Sequence, residues 1–139
     1  MHEDENPVYG TTHVILALRE LLEAGEPSAR PLLDRANHWL ASAQNSDGGW
    51  GGAAGAPSTT EETSLAVEAL AGTEYVASTD RGVEWMVRKV EDGSWANVAP
   101  IGFYFAKLWY YEALYPKIWA VAALGRVSSL SGLGGQPTA

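Results

Sequence analysis

Apolar residues recur along this chain at the spacing of helices rather than strands. In the first such segment Val14, Leu18 and Leu21 fall on one helical face, and Gly25 follows where the helix should end. The last segment contains Pro116, which should break or kink a helix because proline lacks a backbone donor. We therefore predict an all-α fold with helices at residues 11–24, 29–44, 60 to at least 70, 78–89 and 103–126.

Polar turn signals separate these helices. Residues 45–57 form a loop dense in glycine, in which Asp47-Gly48 is a turn signal. Thr59 and Glu62 then have the spacing of a capping box, in which a hydroxyl and a carboxylate bond to free amides at the start of a helix. The sequence thus predicts a capped helix directly after the loop.

Two stretches of the chain repeat one pattern, 46 positions apart when measured between Trp39 and Trp85. The first copy reads Arg35-Ala36-Asn37-His38-Trp39-Leu40, then Gln44 and Gly48-Gly49-Trp50; the second reads Arg81-Gly82-Val83-Glu84-Trp85-Met86, then Gly93-Ser94-Trp95. A period of this size is typical of helix pairs that stack into solenoids or close into toroids. In each copy a glycine-rich turn ends at a tryptophan. An indole at this position can fill the gap between two packed helix ends.

The pattern basic-small-x-x-aromatic-aliphatic-x-x-x-Gln-loop-Gly-x-Trp resembles the QW motif of terpenoid cyclases of the squalene–hopene cyclase family. The first copy fits at every element, whereas in the second Val90 stands where the motif has Gln. The resemblance runs from about Asn6 to Arg126. It implies part of an (α/α)6 toroid over residues 1–127, and residues 128–139, rich in Gly, Ser and Pro, are predicted to form a disordered tail. We identify nine structural QW residues: Arg35, Trp39, Gln44, Gly48, Trp50, Arg81, Trp85, Gly93 and Trp95.

Cyclases of this type protonate an alkene and then hold a carbocation against aromatic faces, which stabilise the charge. The resemblance places Tyr104 and Tyr111 in the lining of the cavity, and Phe103 and Phe105 are predicted to contact substrate with them. Leu108 replaces the central tyrosine of the family pattern, and Pro100-Ile101-Gly102-Phe103 replaces the Gly-Thr-Gly-Phe lead-in. Aromatic residues at helical spacing are also typical of a hydrophobic core. In such a protein the same residue can both pack in the core and line the cavity.

Tyr9, within Tyr9-Gly10-Thr11, matches a family position beside the proton donor and is predicted to belong to the network that holds it. A helix-capping aromatic residue is the alternative. The donor itself is the central Asp of an Asp-x-Asp-Asp cluster, and this chain contains no such cluster. The resemblance therefore predicts the C-terminal portion of a larger cyclase acting on squalene or a similar isoprenoid, inactive alone.

Two other interpretations remain open. The β subunit of protein prenyltransferases carries similar turns but binds zinc through Asp, Cys and His, and the absence of Cys counts strongly against it. A non-enzymatic helical module that binds an isoprenoid, a sugar or a partner protein is the second. In that interpretation the exposed inner surface is apolar and too large to remain in contact with solvent, so we expect a homo-oligomer that buries the aromatic C-terminal segment.

The composition of the chain argues against several classes of partner and ligand. The formal charge of −8 argues against nucleic acid as a partner, because phosphate binding needs clustered Lys and Arg. His2, His13 and His38 are too widely spaced for a helical metal pair, and we expect neither a metal nor a cofactor. The acidic N-terminus is not a signal peptide, and no stretch reads as a convincing transmembrane helix. We expect a cytoplasmic protein, peripheral to a membrane as part of a longer chain.

Overall fold

The computed structural model describes residues 6–97, 101–103, 108–110 and 113–132, and these are predominantly helical. The elements in chain order are α1 (Pro7–Glu23), a 3-10 turn (Pro27–Ala29), α2 (Arg30–Ser42), α3 (Thr60–Leu70), α4 (Val76–Glu91), a 3-10 turn (Ser94–Ala96), β1 (Ile101–Phe103), β2 (Leu108–Tyr110) and α5 (Tyr115–Gly132). The predicted all-α class is confirmed, and the first four predicted helices are present. No helix within the described ranges combines the length and the apolarity that a membrane crossing requires.

Helix α1 begins earlier than predicted, at Pro7. The side chain of Asn6 caps it, because its Oδ1 accepts a hydrogen bond of 2.8 Å from the Tyr9 amide. Proline is favoured at the first helical position, where no donor is needed. Tyr9 therefore lies inside the first turn of a helix and not ahead of it.

The predicted helix over residues 103–126, broken or kinked near Pro116, is wrong in its first part and confirmed from Tyr115 onwards. β1 and β2 pair antiparallel in that region, with Ile101 opposite Tyr110, and the last helix begins only at Tyr115. β-branched and aromatic residues suit a pleated strand as well as a helix face, so spacing alone misled the prediction. Pro116 lies in the first turn of α5, where proline is tolerated and causes no kink.

The predicted boundary of the tail is also wrong. Helix α5 continues through residues 128–132 and ends at Gly132, whereas we predicted disorder from residue 128. Residues 133–139 lie outside the described part of the chain.

Helix α3 is the centre of the fold. It packs against α1, α2, α4 and α5, and all of its residues except Glu68 are buried. Thr59 caps it as predicted, since its Oγ1 accepts from the Glu62 amide at 3.2 Å. The other half of the capping box is absent, because the Thr59 amide donates to the Trp50 carbonyl at 2.9 Å.

Trp50 fills the space between the helices that flank the glycine-rich loop. Its side chain is 0% exposed, and its Nε1 donates to the Leu40 carbonyl near the end of α2 at 2.8 Å. Its amide donates to the Thr63 hydroxyl of α3 at 2.9 Å. This position confirms the expected role of the indole for the first copy of the repeat, whereas Trp95 in the second copy is only half-buried.

Gly82 of α4 lies directly against this indole. A Cβ atom at Gly82 would stand 2.9 Å from Trp50 Cζ3 and 2.6 Å from Val67 Cγ2. Both distances are shorter than real carbon contacts, so only glycine permits the observed approach of α4 to the core.

We predict that Gly82→Ala destabilises the protein by about 1–3 kcal/mol through overpacking. Gly10→Ala is the matched control, because Gly10 is also helical and has nothing within 4 Å of an added Cβ. That change should stabilise α1 by about 0.5–1 kcal/mol. Urea unfolding followed by circular dichroism measures both changes. Equal effects of the two substitutions would contradict the close approach at Gly82.

Candidate functional site

The side chain of Gln44 joins the end of α2 to the start of α4. Its Nε2 donates to the carbonyl of Gly48 at 2.9 Å and to that of Ser78 at 2.8 Å. Its Oε1 accepts from the Arg81 guanidinium. The amide thus bridges the two copies of the repeat, and Val90, the corresponding residue of the second copy, cannot form such a bridge.

Asp47 forms a second connection between the two copies. Its carboxylate accepts from the Gly49 amide at 2.9 Å, the Ser58 hydroxyl at 2.8 Å and Trp85 Nε1 at 3.0 Å. Partial burial acts to raise the pKa of Asp47, but these hydrogen bonds outweigh it and hold that pKa below its usual value. The bond from Trp85 accounts for a contrast between the copies: Trp85 is 4% exposed, whereas Trp39 is 36% exposed.

The remaining repeat residues have ordinary structural positions. Arg35 is exposed on α2, and Gly93 begins the second 3-10 turn with a φ of 79°. Gly48 is buried with a φ of 94°, and a Cβ there would meet the Arg81 carbonyl oxygen at 2.8 Å. Gln44, Trp50 and Trp85 therefore connect neighbouring elements of the fold through side-chain hydrogen bonds.

An aromatic cluster lies where α1 meets α5, and we define it as Tyr9, His13, Tyr115 and Trp119. The ring of Tyr9 is 4.2 Å from His13 and 6.4 Å from Trp119, measured between centroids. Trp119 stacks on Tyr115 at 4.8 Å. Tyr9, Tyr115 and Trp119 are each partly buried, so the cluster presents π faces at the edge of the core.

Only one of the residues predicted to contact substrate or the proton donor is described with its side chain. Tyr104, Phe105 and Tyr111 lie outside the described residues, as does the side chain of Phe103 in β1. Tyr9 lies in the aromatic cluster, and its hydroxyl makes no hydrogen bond with any described residue. Its role in a proton-donor network stays a prediction. The sequence did not single out Trp119 or Tyr115 as site residues, although both belong to the aromatic segment it recognised.

Glu62 is a buried acid that the sequence analysis interpreted only as a helix cap. Its Oε1 accepts from Asn6 Nδ2 at 2.8 Å, and its Oε2 accepts from the Thr59 hydroxyl. Burial raises the pKa of Glu62 above its usual value, against the lowering effect of the bond from Asn6. Because Asn6 also caps the amide of Tyr9, the acid and the aromatic cluster share one amide side chain.

Among residues 6–97, 101–103, 108–110 and 113–132, no three His, Cys, Asp or Glu side chains come close enough together to hold a metal ion. The buried acid Glu62 and the aromatic cluster are thus linked through Asn6. Such an arrangement can hold a proton and can face an apolar or cationic ligand.

Comparison with protein families identifies a match over nearly the whole chain. The family described as the squalene-hopene cyclase C-terminal domain matches residues 4–129. The chain is 35% identical over 136 residues to the squalene–hopene cyclase of Bradyrhizobium diazoefficiens and 32% identical over 136 residues to a probable squalene–hopene cyclase of Sinorhizobium fredii. Each alignment covers 84% of this chain and 20% of the relative, so the chain spans about a fifth of the length of these proteins. No solved structure matches.

We predict that Glu62→Gln stabilises the protein at pH 7 and that the gain shrinks as the pH falls. Because the pKa of Glu62 is raised in the folded state, the ionised carboxylate lowers the free energy of unfolding at pH values above that pKa. This loss disappears as the pH falls to the unfolded-state pKa of 4.5. Glutamine keeps an acceptor for Asn6 without the charge, and its Nε2 can donate to the Thr59 hydroxyl oxygen, which reverses the direction of that bond.

Urea unfolding at pH 7 and pH 5 measures this effect. Glu20→Gln is the control, because Glu20 is exposed on α1. Comparing wild type with Glu62→Gln at both pH values removes the contribution of acids that lie far from Glu62. A variant less stable than wild type at pH 7 would show that the charge of Glu62 stabilises the fold, which contradicts the prediction.

Proposed function

The chain belongs to the family of squalene-hopene cyclase C-terminal domains, and we propose that it supplies one wall of the substrate cavity of a terpenoid cyclase. The match over residues 4–129 carries this proposal. The relatives are named for squalene and hopene, so the substrate we propose is squalene or a similar isoprenoid. The reaction is polycyclisation started by protonation of an alkene.

The aromatic cluster supports a role in holding positive charge. An aromatic face stabilises a desolvated cation by about 2 kcal/mol, and Tyr9, Tyr115 and Trp119 bring three such rings together at the edge of the core. Tyr104, Tyr111, Phe103 and Phe105 are proposed to extend this surface. In this proposal Tyr9 belongs to the network around the proton donor, because a phenol can both donate and accept a hydrogen bond.

The acid that starts the reaction is proposed to come from outside these 139 residues, because the sequence contains no Asp-x-Asp-Asp cluster. The isolated chain should therefore form no cyclic product from squalene. Glu62 does not take the place of that acid, since its carboxyl is engaged by Asn6 and Thr59 inside the fold.

The test is a chimera in which this chain replaces the matching fifth of the Bradyrhizobium diazoefficiens enzyme. We expect polycyclic product from the chimera and none from the isolated chain, measured by gas chromatography of extracted lipids. Trp119→Leu in the chimera should lower turnover by about 30-fold, the equivalent of one cation–π contact of about 2 kcal/mol. Trp39→Leu is the matched control, because Trp39 lies outside the aromatic cluster.

Three outcomes would contradict the proposal. Cyclic product from the isolated chain would show that the acid lies within it. Equal turnover of the Trp119→Leu and Trp39→Leu chimeras would remove the aromatic cluster from the cavity. A folded chimera without product, with helical content and melting temperature equal to those of the parent enzyme, would favour the non-enzymatic binding module.

We also propose that the isolated chain self-associates through α5. Ile118 is 54% and Val121 is 68% exposed, and their separation places them on neighbouring positions of one apolar face. Light scattering at high concentration should detect a homo-oligomer, and Val121→Glu should shift it towards monomer. Val76→Glu is the control at an equally exposed valine of α4. A wild-type monomer would contradict this proposal.

A further inference from the structure

His13 is the member of the aromatic cluster that has a basic nitrogen. It lies four positions after Tyr9 on α1, and residues at this separation are neighbours on one helix face. The two ring centroids are 4.2 Å apart, with an angle of 34° between the ring planes. Trp119 of α5 lies 6.4 Å from the Tyr9 ring. A ligand held against the ring of Tyr9 therefore comes close to the imidazole of His13.

The hydrogen bonds of His13 determine which of its ring nitrogens can accept a proton. Nδ1 lies 2.9 Å from the backbone carbonyl oxygen of Tyr9. Because a carbonyl oxygen can only accept, the proton of the neutral ring is on Nδ1. The Thr12 hydroxyl is 3.5 Å from Nδ1 but donates to the same carbonyl at 2.8 Å, so it does not change this assignment. Nε2 of the neutral ring therefore carries the lone pair that can act as a base.

The surroundings of His13 suit a group that takes up a proton and then releases it. A protonated imidazole beside the ring of Tyr9 is stabilised by the π electrons of that ring. Its hydrogen bond from Nδ1 to the Tyr9 carbonyl also becomes stronger when the ring is charged. The side chain of His13 is exposed in this chain, so the proton can pass on to water and leave the ring neutral again.

The proposed polycyclisation needs a proton acceptor at its end. Protonation of an alkene starts the reaction, and closure of the rings leaves a carbocation. This cation becomes a neutral product in one of two ways: a base removes a proton from a neighbouring carbon and gives an alkene, or water adds and gives an alcohol. A C–H bond next to a cationic carbon is strongly acidic, so a neutral imidazole is a sufficient base.

The other polar groups near the cluster are poorer candidates for this base. The phenols of Tyr9 and Tyr115 are weak proton acceptors, and the indole nitrogen of Trp119 can only donate. The carboxyl of Glu62 is engaged by Asn6 and by a helix cap inside the fold. The imidazole of His13 therefore remains as the accessible base of this face.

We propose that His13 is the base that ends the cyclisation, an assignment that rests on the proposed cyclase function. Nε2 removes a proton from the carbon next to the cationic centre, and the electron pair of that C–H bond forms the new double bond. The imidazolium then gives the proton to water. One proton is taken up at the start and one is released at the end, so the alkene product has the same composition as the substrate.

The test is His13→Gln in the chimera of this chain with the Bradyrhizobium diazoefficiens enzyme. Glutamine can still donate a hydrogen bond to the Tyr9 carbonyl but has no basic nitrogen. Gas chromatography of one lipid extract gives the ratio of polycyclic alkene to polycyclic alcohol. This ratio should fall by at least about tenfold, the lower range of general base catalysis, because water then captures the cation. A purely structural role of His13 would lower the total product and leave the ratio unchanged.

Two further variants complete the experiment. His13→Ala should give the same fall in the ratio, and the high helix propensity of alanine keeps α1 intact. His38→Gln is the matched control, because His38 is exposed on α2 and lies outside the aromatic cluster. It should leave the ratio unchanged.

The outcomes separate this proposal from the cyclase function on which it rests. If polycyclic product forms and its ratio is the same with and without His13, the role of His13 is overturned and the cyclase function stands. An equal fall in His38→Gln also overturns it, because that result would indicate a general disturbance of the protein. If the chimera forms no polycyclic product, both proposals fall together, since no carbocation is made.

Discussion

The complete burial of Trp50 is the constraint on which the arrangement of the helices depends. The indole nitrogen of Trp50 donates to the Leu40 carbonyl of α2, and the Trp50 amide donates to Thr63 of α3. The indole also needs the bare backbone of Gly82 on α4. Three helices are thereby fixed around a single residue. Because interiors are packed to crystal-like density, none of the three can move without opening a cavity or causing a clash.

Polar groups of the same loop then connect the two copies of the repeat. Gln44 satisfies the carbonyl of Ser78 at the start of α4, and Asp47 satisfies the indole nitrogen of Trp85. Both contacts run from the first copy to the second, which explains why the first copy must carry the complete motif. The second copy has Val90 in place of Gln and leaves its own turn less buried.

The sequence predicted those features that depend on local chemistry. Apolar spacing located α1 to α4, the Thr59 cap marked the start of α3, and the glycine-rich turn correctly indicated a buried indole at Trp50. The hairpin formed by β1 and β2 was missed, because a segment rich in aromatic residues satisfies helical spacing and strand composition equally. The burial of Glu62 depends on contacts between distant segments. No local pattern can show that Asn6 reaches Glu62, 56 positions away.

That contact between Asn6 and Glu62 has a consequence for the aromatic cluster. Asn6 donates to the buried carboxyl with its Nδ2 and accepts from the Tyr9 amide with its Oδ1, so it sets the start of α1 against the core. A raised pKa makes protonation of Glu62 easier than for an exposed acid. A neutral carboxyl accepts a weaker hydrogen bond than a carboxylate does, so protonation loosens the link between the first turn of α1 and α3. Asn6 therefore connects the carboxyl of Glu62 to the first turn of the helix that carries Tyr9.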